Sequence, residues 1–296
     1  MKSLKFKKID AFASFNSSGN PAGVIYLDNC NDLSAEEMQQ IAKELKGFVS
    51  EVGYIWENED GSFGLRYYSS EREVEFCGHA TIAIMYNIIK SRSDLLAKSE
   101  LTIHTKNDTL VVENHIPQND SVFITAPAPK FIMKDINQED IASSLKIDAN
   151  MIDDRFDIAI VNAGLETLIV PVKNLEATLN VNPDLVELNV FCKSIGVDII
   201  ILFTDECFSE KSSYRTRVFA ATFGYLEDPA TGSGNSAFGN YLLQRNIWDG
   251  ELMNIEQNAL KENFNTVKLT TKKEESIKHV LFGGSAKVKI DGNYLL

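Results

Sequence analysis

The sequence predicts a mixed α/β (α+β) protein of two pseudo-symmetric lobes, each a rolled, mostly antiparallel sheet around a central helix. A glycine-containing turn opens directly onto an apolar run at residues 77–89, and the same pattern recurs at residues 231–243. Setting Gly78 on Gly232 gives an offset of 232 − 78 = 154, about half of the 296 residues, and the same offset sets Ile88 on Leu242. Runs without charged residues predict buried helices. Short turns between most strands favour hairpins, and therefore antiparallel pairing.

The first half of the chain alternates strand patterns with two helices. Strands are predicted from period-two alternation and apolar runs over 6–12, 22–27, 48–56, 63–68, 101–104, 109–113 and 122–125. Ser34 and Glu37 form a capping box that starts a helix. The second helix is the apolar run that follows Gly78.

The second half repeats this order of elements. Its predicted strands cover 158–162, 167–172, 198–204, 214–222, 267–269, 279–282 and 286–290. Asn182 is the predicted N-cap, and Pro183 the first residue, of a helix that ends at Gly196. Because Pro127 and Pro129 break the pattern between the halves, we expect an N-terminal lobe over 1–126 and a C-terminal lobe over 127–296. The last strand is expected to pack back on the first lobe.

Composition excludes several classes of function. The net charge of −13 argues against nucleic-acid binding, which needs concentrated Lys and Arg. The longest apolar run, Ile199–Phe203, is too short to cross a membrane. The N-terminal residues lack the apolar core of a signal peptide, so a cytoplasmic protein is expected. The four cysteines are scattered without a CxxC motif and predict reduced thiols and no metal site; Cys77 and His79 are half a site without a visible partner pair.

Two familiar catalytic motifs fit poorly. Residues 232–237 match the GxGxxA dinucleotide pattern, but they lie late in the chain, with acidic residues before the glycines instead of about 20 residues after them. Ser233 does not lie in a GxSxG elbow, so serine hydrolysis is disfavoured.

A better hypothesis groups Glu51, His79, Asp228 and Ser233 around the two predicted helix starts. Unpaired N–H groups at a helix start attract anions such as a carboxylate. Carboxylates and an imidazole next to such donors suit proton abstraction beside a carboxylate. Two plainer alternatives remain: Asp228 caps the second helix region, and Glu51 is exposed or paired in its apolar strand.

Five segments together resemble the phenazine biosynthesis PhzF-like family, in that family's order. They are Ile9-Asp10-Ala11-Phe12, Gly19-Asn20-Pro21-Ala22-Gly23-Val24, Ser50-Glu51, Cys77-Gly78-His79-Ala80-Thr81 and Glu227-Asp228-Pro229-Ala230-Thr231-Gly232-Ser233. The resemblance implies the diaminopimelate epimerase-like fold, with the active site between two lobes, and a cofactor-free isomerase that is usually dimeric.

The resemblance also implies roles for individual residues. In characterised members a glutamate moves a proton on a cyclic carboxylate, and it corresponds to Glu51. The residues that hold the substrate correspond to His79, Asp228 and Ser233, with backbone amides at Gly78 and Gly232; Asn20 is assigned to substrate binding with them. The implied partners are a small-molecule carboxylate and a second copy of the chain, with no metal and no cofactor.

Two family features are missing, and two other functions stay open. Ser69-Ser70 replaces a usual Thr-Pro, and the usual Gln-Gly with a following Arg is not found in residues 256–261. One alternative is a thiol-dependent epimerase or racemase, for which Cys77 supplies one thiol but Thr231 occupies the facing position in the repeat. The other is a carboxylate-binding protein without catalysis.

Overall fold

The computed structural model describes residues 2–14 and 16–296. The chain divides into two compact units. The first comprises the N-terminal segment up to Ser14 together with Ser18–Thr125 and Gly283–Leu296, and the second comprises Ala126–Phe282 with a short segment ending in Ser17.

The first unit is a sheet with four helices. Its elements are β1 (Ser3–Ala11), β2 (Asn20–Tyr26), α1 (Ala35–Glu44), β3 (Glu51–Glu57), β4 (Phe63–Ser69), β5 (Glu73–Val74), α2 (Gly78–Ser91), α3 (Ser93–Leu96), β6 (Glu100–His104), β7 (Thr109–Asn114), α4 (Ile116–Asn119) and β8 (Val122–Thr125), joined by the C-terminal β18 (Ala286–Leu295). The strand order is β18-β1-β2-β3-β4-β6-β7-β8, and β5 pairs with β4. Only the β2–β3 and β4–β6 pairs are parallel among these.

The second unit contains the remaining elements. They are β9 (Lys130–Ile132), α5 (Gln138–Leu145), a 3-10 turn (Ala149–Met151), β10 (Ala159–Asn162), β11 (Glu166–Pro171), α6 (Leu175–Asn180), α7 (Leu185–Ile195), β12 (Ile199–Thr204), β13 (Tyr214–Phe219), a 3-10 turn (Ala221–Phe223), β14 (Glu227–Asp228), α8 (Gly232–Gln244), β15 (Met253–Gln257), β16 (Asn265–Glu274) and β17 (Ile277–Gly284), whose last two residues belong to the first unit. The strand order is β9-β10-β11-β12-β13-β15-β16, with β14 on β13.

The same connectivity therefore occurs twice. In the second unit the parallel pairs are β11–β12 and β13–β15, and they occupy the places of β2–β3 and β4–β6 in the first. Each parallel pair is joined through helices, as a parallel connection requires. A two-residue strand precedes the central helix in both units. The duplication inferred from the sequence is thus present in the order and direction of the strands.

Each unit is built around its central helix. Nine of the 14 residues of α2 and ten of the 13 residues of α8 are buried. A helix that buries most of its residues, and not a single stripe, is surrounded by protein on most sides. Outside these helices, α1 packs on the sheet of the first unit through Met38, Ile41 and Ala42, and α5 and α7 share a core in the second.

Most predicted elements occur within a few residues of their expected bounds, and one helix start was wrong. The capping box of Ser34 and Glu37 is formed in both directions. In α7, however, the N-cap is Asp184, which accepts from the N–H groups of Val186 and Glu187, and not Asn182. Asp184 satisfies two first-turn donors at once, which explains why the helix starts after Pro183 and not at it.

No helix within residues 2–14 and 16–296 is both long enough and apolar enough to cross a lipid bilayer.

Candidate active site

Glu51 lies where β3 begins. It pairs with Ala22 of β2 on one side and with Ser69 of β4 on the other. The Glu51 side chain is 24% exposed, whereas the residues after it in β3, Val52 to Ile55, are buried. The position at the end of the strand therefore brings a carboxylate to the surface of an apolar sheet without burying it in the core.

The start of α2 supplies backbone donors in the same unit. Cys77 is the N-cap, makes no side-chain bond to the first turn, and is followed by no acidic residue in that turn. The hydroxyl of Thr81 donates to the Cys77 carbonyl (2.8 Å) and is hydrogen-bonded to the buried hydroxyl of Tyr67 (2.6 Å). The first N–H groups of the helix carry partial positive charge and suit a carboxylate ligand.

Gly53 allows α2 to approach β3 closely. A Cβ atom at Gly53 would lie 2.4 Å from Cδ1 of Ile84, well inside van der Waals contact. Since Ile84 lies in α2 and Glu51 lies two residues before Gly53, this contact sets how near the start of α2 comes to Glu51.

Glu51, His79 and Cys77 form one cluster. Oε2 of Glu51 lies 3.2 Å from Nε2 of His79, and Sγ of Cys77 lies 3.5 Å from Nδ1 of the same ring. The Glu51–His79 distance is that of an ion pair. Oε2 is buried and has no hydrogen-bond partner among the described residues. A buried carboxylate oxygen that makes no hydrogen bond is costly, and such atoms concentrate at functional sites.

Burial and the contacts within this cluster shift the pKa values of Cys77 and His79. Burial raises the pKa of the Cys77 thiol, and the neighbouring His79 offsets only part of that shift, so the thiol is protonated at neutral pH. Burial by itself lowers the pKa of the His79 imidazole, but Cys77 and Glu51 outweigh it, and the pKa of His79 lies well above its ordinary value. With the thiol protonated, we attribute the rise mainly to the Glu51 carboxylate.

Asn20 lies at the same end of the sheet as Glu51. It is the first residue of β2, its side chain is buried, and its Oδ1 accepts a hydrogen bond from the hydroxyl of Ser50 (3.3 Å). Ser50 directly precedes Glu51 in the chain. This hydrogen bond therefore holds the Asn20 side chain beside the start of β3, where Glu51 lies. The structure therefore brings Asn20, Glu51, Gly78 and His79 to one region of the first unit.

The other predicted residues lie together in the second unit. Asp228 ends β14, and Gly232 and Ser233 are the first two residues of α8. One carboxylate oxygen of Asp228 accepts from the N–H of Ala230 (3.2 Å), so Asp228 shapes the turn before the helix. A Cβ atom at Gly232 would lie 2.3 Å from the Phe282 ring, which explains the glycine at the helix start.

Gln257, at the end of β15, was not identified from the sequence, although it holds this turn. Its fully buried side chain accepts from the Thr231 N–H (3.0 Å) and from the amide of Asn235 (2.7 Å), and it donates to the Asp228 carbonyl (2.8 Å). The next residue, Asn258, has φ 117°, a backbone conformation that favours glycine. Nothing in the sequence around Gln257 distinguishes it from an exposed polar residue, because its three partners lie 22 to 29 residues earlier in the chain.

We expect Gln257→Leu to lower the free energy of unfolding by ~3 kcal/mol, because two donors and one acceptor of the Asp228–Asn235 segment lose their partner in a buried setting. Urea denaturation measures the change. Gln40→Leu, on the exposed face of α1, is the control and is expected to stay within about 0.5 kcal/mol of the wild type. Equal stability of Gln257→Leu and the wild type would contradict this role.

Comparison with known proteins agrees with the fold and with the family resemblance of the sequence. Residues 9–292 match the family model described as phenazine biosynthesis-like protein. An uncharacterized isomerase of Bacillus subtilis, YfhB, is 30% identical over 246 residues, which cover 82% of each chain.

Solved structures give the same result. The phenazine biosynthesis protein of the PhzF family from Bacillus anthracis matches with a TM-score of 0.88 and 26% identity over 100% of both chains. A hydroxyproline epimerase from Agrobacterium vitis matches with a TM-score of 0.58 at 10% identity, over 99% of this chain and 91% of its own. This second likeness concerns the fold alone, and it agrees with the predicted epimerase-like architecture.

Proposed function

Because the chain belongs to the phenazine biosynthesis-like PhzC–PhzF family, and several of its relatives are named uncharacterized isomerases, we propose that it is a cofactor-independent isomerase that shifts a proton on a small carboxylate. The observation that carries the proposal is the Oε2 atom of Glu51. It lacks a hydrogen-bond partner among the described residues and lies 3.2 Å from Nε2 of His79. An acceptor held in this way is free to take a proton from a bound molecule.

The proposed step uses Glu51 as both base and acid. The substrate carboxylate binds the N–H groups at the start of α2, and Glu51 takes a proton from a neighbouring carbon. The electron pair of the broken C–H bond moves into the substrate and shifts its double bond. Glu51 then returns the proton to a different carbon, so no external oxidant or reductant is consumed.

His79 and the helix start would stabilise the charge that develops. The raised pKa of His79 favours an imidazolium beside Glu51. A preoriented cation and backbone donors lower the energy of an anionic transition state without reorganising. His79 is therefore assigned to positioning Glu51 and to charge stabilisation, and Glu51 to proton transfer.

The test is deuterium incorporation. The protein, with no added cofactor, is incubated in D₂O with a panel of small cyclic carboxylates and amino carboxylates, and mass spectrometry follows the exchange of carbon-bound hydrogen. Incorporation at a carbon near the carboxylate, together with a shifted double bond, is the expected result. Tight binding of a carboxylate without any exchange would instead support the carboxylate-binding protein without catalysis.

The thiol-dependent epimerase is disfavoured by the second unit. Such a mechanism needs two acid–base groups, and the cap position of α8 that corresponds to Cys77 is Thr231, whose hydroxyl is a far weaker acid. We expect Cys77→Ala to keep isomerase activity within a few-fold of the wild type, measured by the same deuterium assay. A loss of ~10²-fold or more, the scale of a missing acid–base group, would restore the thiol mechanism.

Contact of Asp228, Gly232 and Ser233 with the substrate stays a prediction, as do a homodimer and a cytoplasmic location.

Ser233→Ala is expected to raise the KM for an accepted carboxylate more than it lowers kcat, because a binding hydroxyl acts on ground and transition states alike.

A further inference from the structure

We propose that Glu51, Cys77 and His79 bind a zinc ion, and that zinc held there inhibits the enzyme. The inhibition rests on the proposed function, whereas the binding site rests on the geometry alone. Cys77 and His79 supply a thiol and an imidazole two residues apart, and the fold adds the carboxylate of Glu51, from a strand, as a third ligand. Among the described residues, the ligand atoms of these three side chains lie within 4.8 Å of one another.

The distances suit a tetrahedral ion. Zinc bonds of about 2.3 Å to sulfur and 2.0–2.2 Å to nitrogen or oxygen place tetrahedral ligand atoms ~3.3–3.6 Å apart. In the structure, Nε2 of His79 lies 3.2 Å from Oε2 of Glu51 and 4.0 Å from Sγ of Cys77. One ring nitrogen therefore needs only a small side-chain rotation to share an ion with both neighbours.

The chemistry of the ligands selects zinc over the hard cations. A thiolate and an imidazole are preferred by zinc, whereas magnesium and calcium take sets of oxygen ligands that one carboxylate does not provide. Among the described residues, none donates a hydrogen bond to the Glu51 oxygen that faces His79, so a cation would satisfy this buried acceptor. On binding, the Cys77 thiol and the His79 imidazolium each release a proton to the buffer, and they coordinate as thiolate and neutral imidazole.

The exposure of Glu51 and His79 indicates how zinc would reach the cluster and which step it would block. The side chains of Glu51 and His79 are 24% and 12% exposed, so solvent reaches the edge of the cluster, although Oε2 of Glu51 itself is buried. A bound zinc ion would occupy the Glu51 lone pair that the proposed reaction uses to accept a proton. Zinc would therefore compete with proton transfer itself, and a chelator would reverse the inhibition.

The binding experiment uses the metal-free full-length protein titrated with ZnCl₂ in competition with a chromophoric chelator. One zinc ion per chain with micromolar affinity or better is the expected result, with no competition from MgCl₂. Replacing zinc with Co²⁺ should give a thiolate-to-cobalt charge-transfer band in the near ultraviolet and intense d–d bands typical of four ligands. The cobalt spectrum needs no variant, so a folding defect does not obscure it.

Variants assign the ligands. Loss of an outer-shell partner already weakens metal binding by about 10–100-fold, so Cys77→Ala is expected to weaken zinc binding by at least ~100-fold and to abolish the charge-transfer band. Two controls should bind zinc as the wild type does. Cys30→Ala removes an exposed thiol. His115→Gln removes a histidine whose Nε2 lies 3.1 Å from the Glu113 carboxylate, a histidine–carboxylate pair that does not belong to the proposed site. Unchanged zinc binding and an unchanged cobalt band in Cys77→Ala would overturn the proposal.

An activity measurement separates this proposal from the proposed function. On a carboxylate that the wild type isomerises, zinc should stop deuterium exchange and EDTA should restore it. Exchange that continues with the site saturated by zinc would overturn the inhibition. If no carboxylate is turned over at all, the proposed function fails, while the titration and the cobalt spectrum still decide the zinc site.

Discussion

Glu51→Gln is expected to lower isomerisation, and deuterium exchange into the substrate, by roughly 10² to 10⁴-fold, the range for loss of a positioned acid–base group. Glutamine has nearly the same shape but accepts no proton at its amide nitrogen and is a very weak base at its oxygen. The residue lies at the start of β3 with its side chain partly exposed. We therefore expect the variant to fold normally and still to bind a carboxylate through the start of α2.

A control variant in the same strand makes this expectation specific. Exchange from D₂O is compared for the wild type, Glu51→Gln and Glu57→Gln, which alters the last residue of the same strand. Glu57 forms an exposed ion pair with Arg92, and the loss of such a pair changes stability little. Glu57→Gln should therefore leave the exchange rate within about two-fold of the wild type. If Glu51→Gln exchanges at the wild-type rate, another residue carries the proton, and His79 and Asp228 are the next candidates.

Glu256→Gln should destabilise the second unit by about 3–5 kcal/mol, the cost of breaking a fully buried ion pair from one side. Oε2 of Glu256 lies 2.9 Å from Nη1 of Arg215, and both side chains have no exposed surface. The carboxylate also accepts from the N–H groups of Phe208 and Ser209. Removing its charge leaves the buried guanidinium with uncharged partners, among them the carbonyls of Asn258 and Leu260.

Urea denaturation measures this loss, and an exposed pair provides the control. Lys46 and Glu71 lie 2.9 Å apart with side chains 68% and 74% exposed, so Glu71→Gln should change stability by less than ~1 kcal/mol. A loss below about 1 kcal/mol in Glu256→Gln would mean that the buried pair is relieved by solvent or by rearrangement, contrary to the geometry.

These two substitutions act on different properties of the molecule. Glu51 contributes little to the core, so its replacement should affect the chemistry and spare the fold. Glu256 lies next to Gln257, which holds the turn at Asp228. A partial loss of stability there is therefore expected to loosen the start of α8 before the rest of the chain unfolds.

The architecture was accessible from the sequence because it depends on patterns along the chain. Two uncharged runs predicted two buried helices, α2 and α8, since a helix without a polar face has to be surrounded by protein. Period-two alternation located most strands, because successive side chains of a strand point to opposite faces. The glycines at 78 and 232 marked the helix starts, and Glu51 was singled out as a carboxylate in an apolar strand.

What only the tertiary structure decided is which side chains meet. Glu51 and His79 are 28 residues apart, and their contact depends on how closely α2 packs on β3 across Gly53. Gln257 reaches Thr231, and Arg215 reaches Glu256, through pairings between strands that are distant in sequence. Local propensity does not encode such pairings, because a buried amide or ion pair is tolerated only where the whole sheet supplies its partners. For the same reason the sequence predicted no metal site from Cys77 and His79, whereas the fold brings the Glu51 carboxylate close to both.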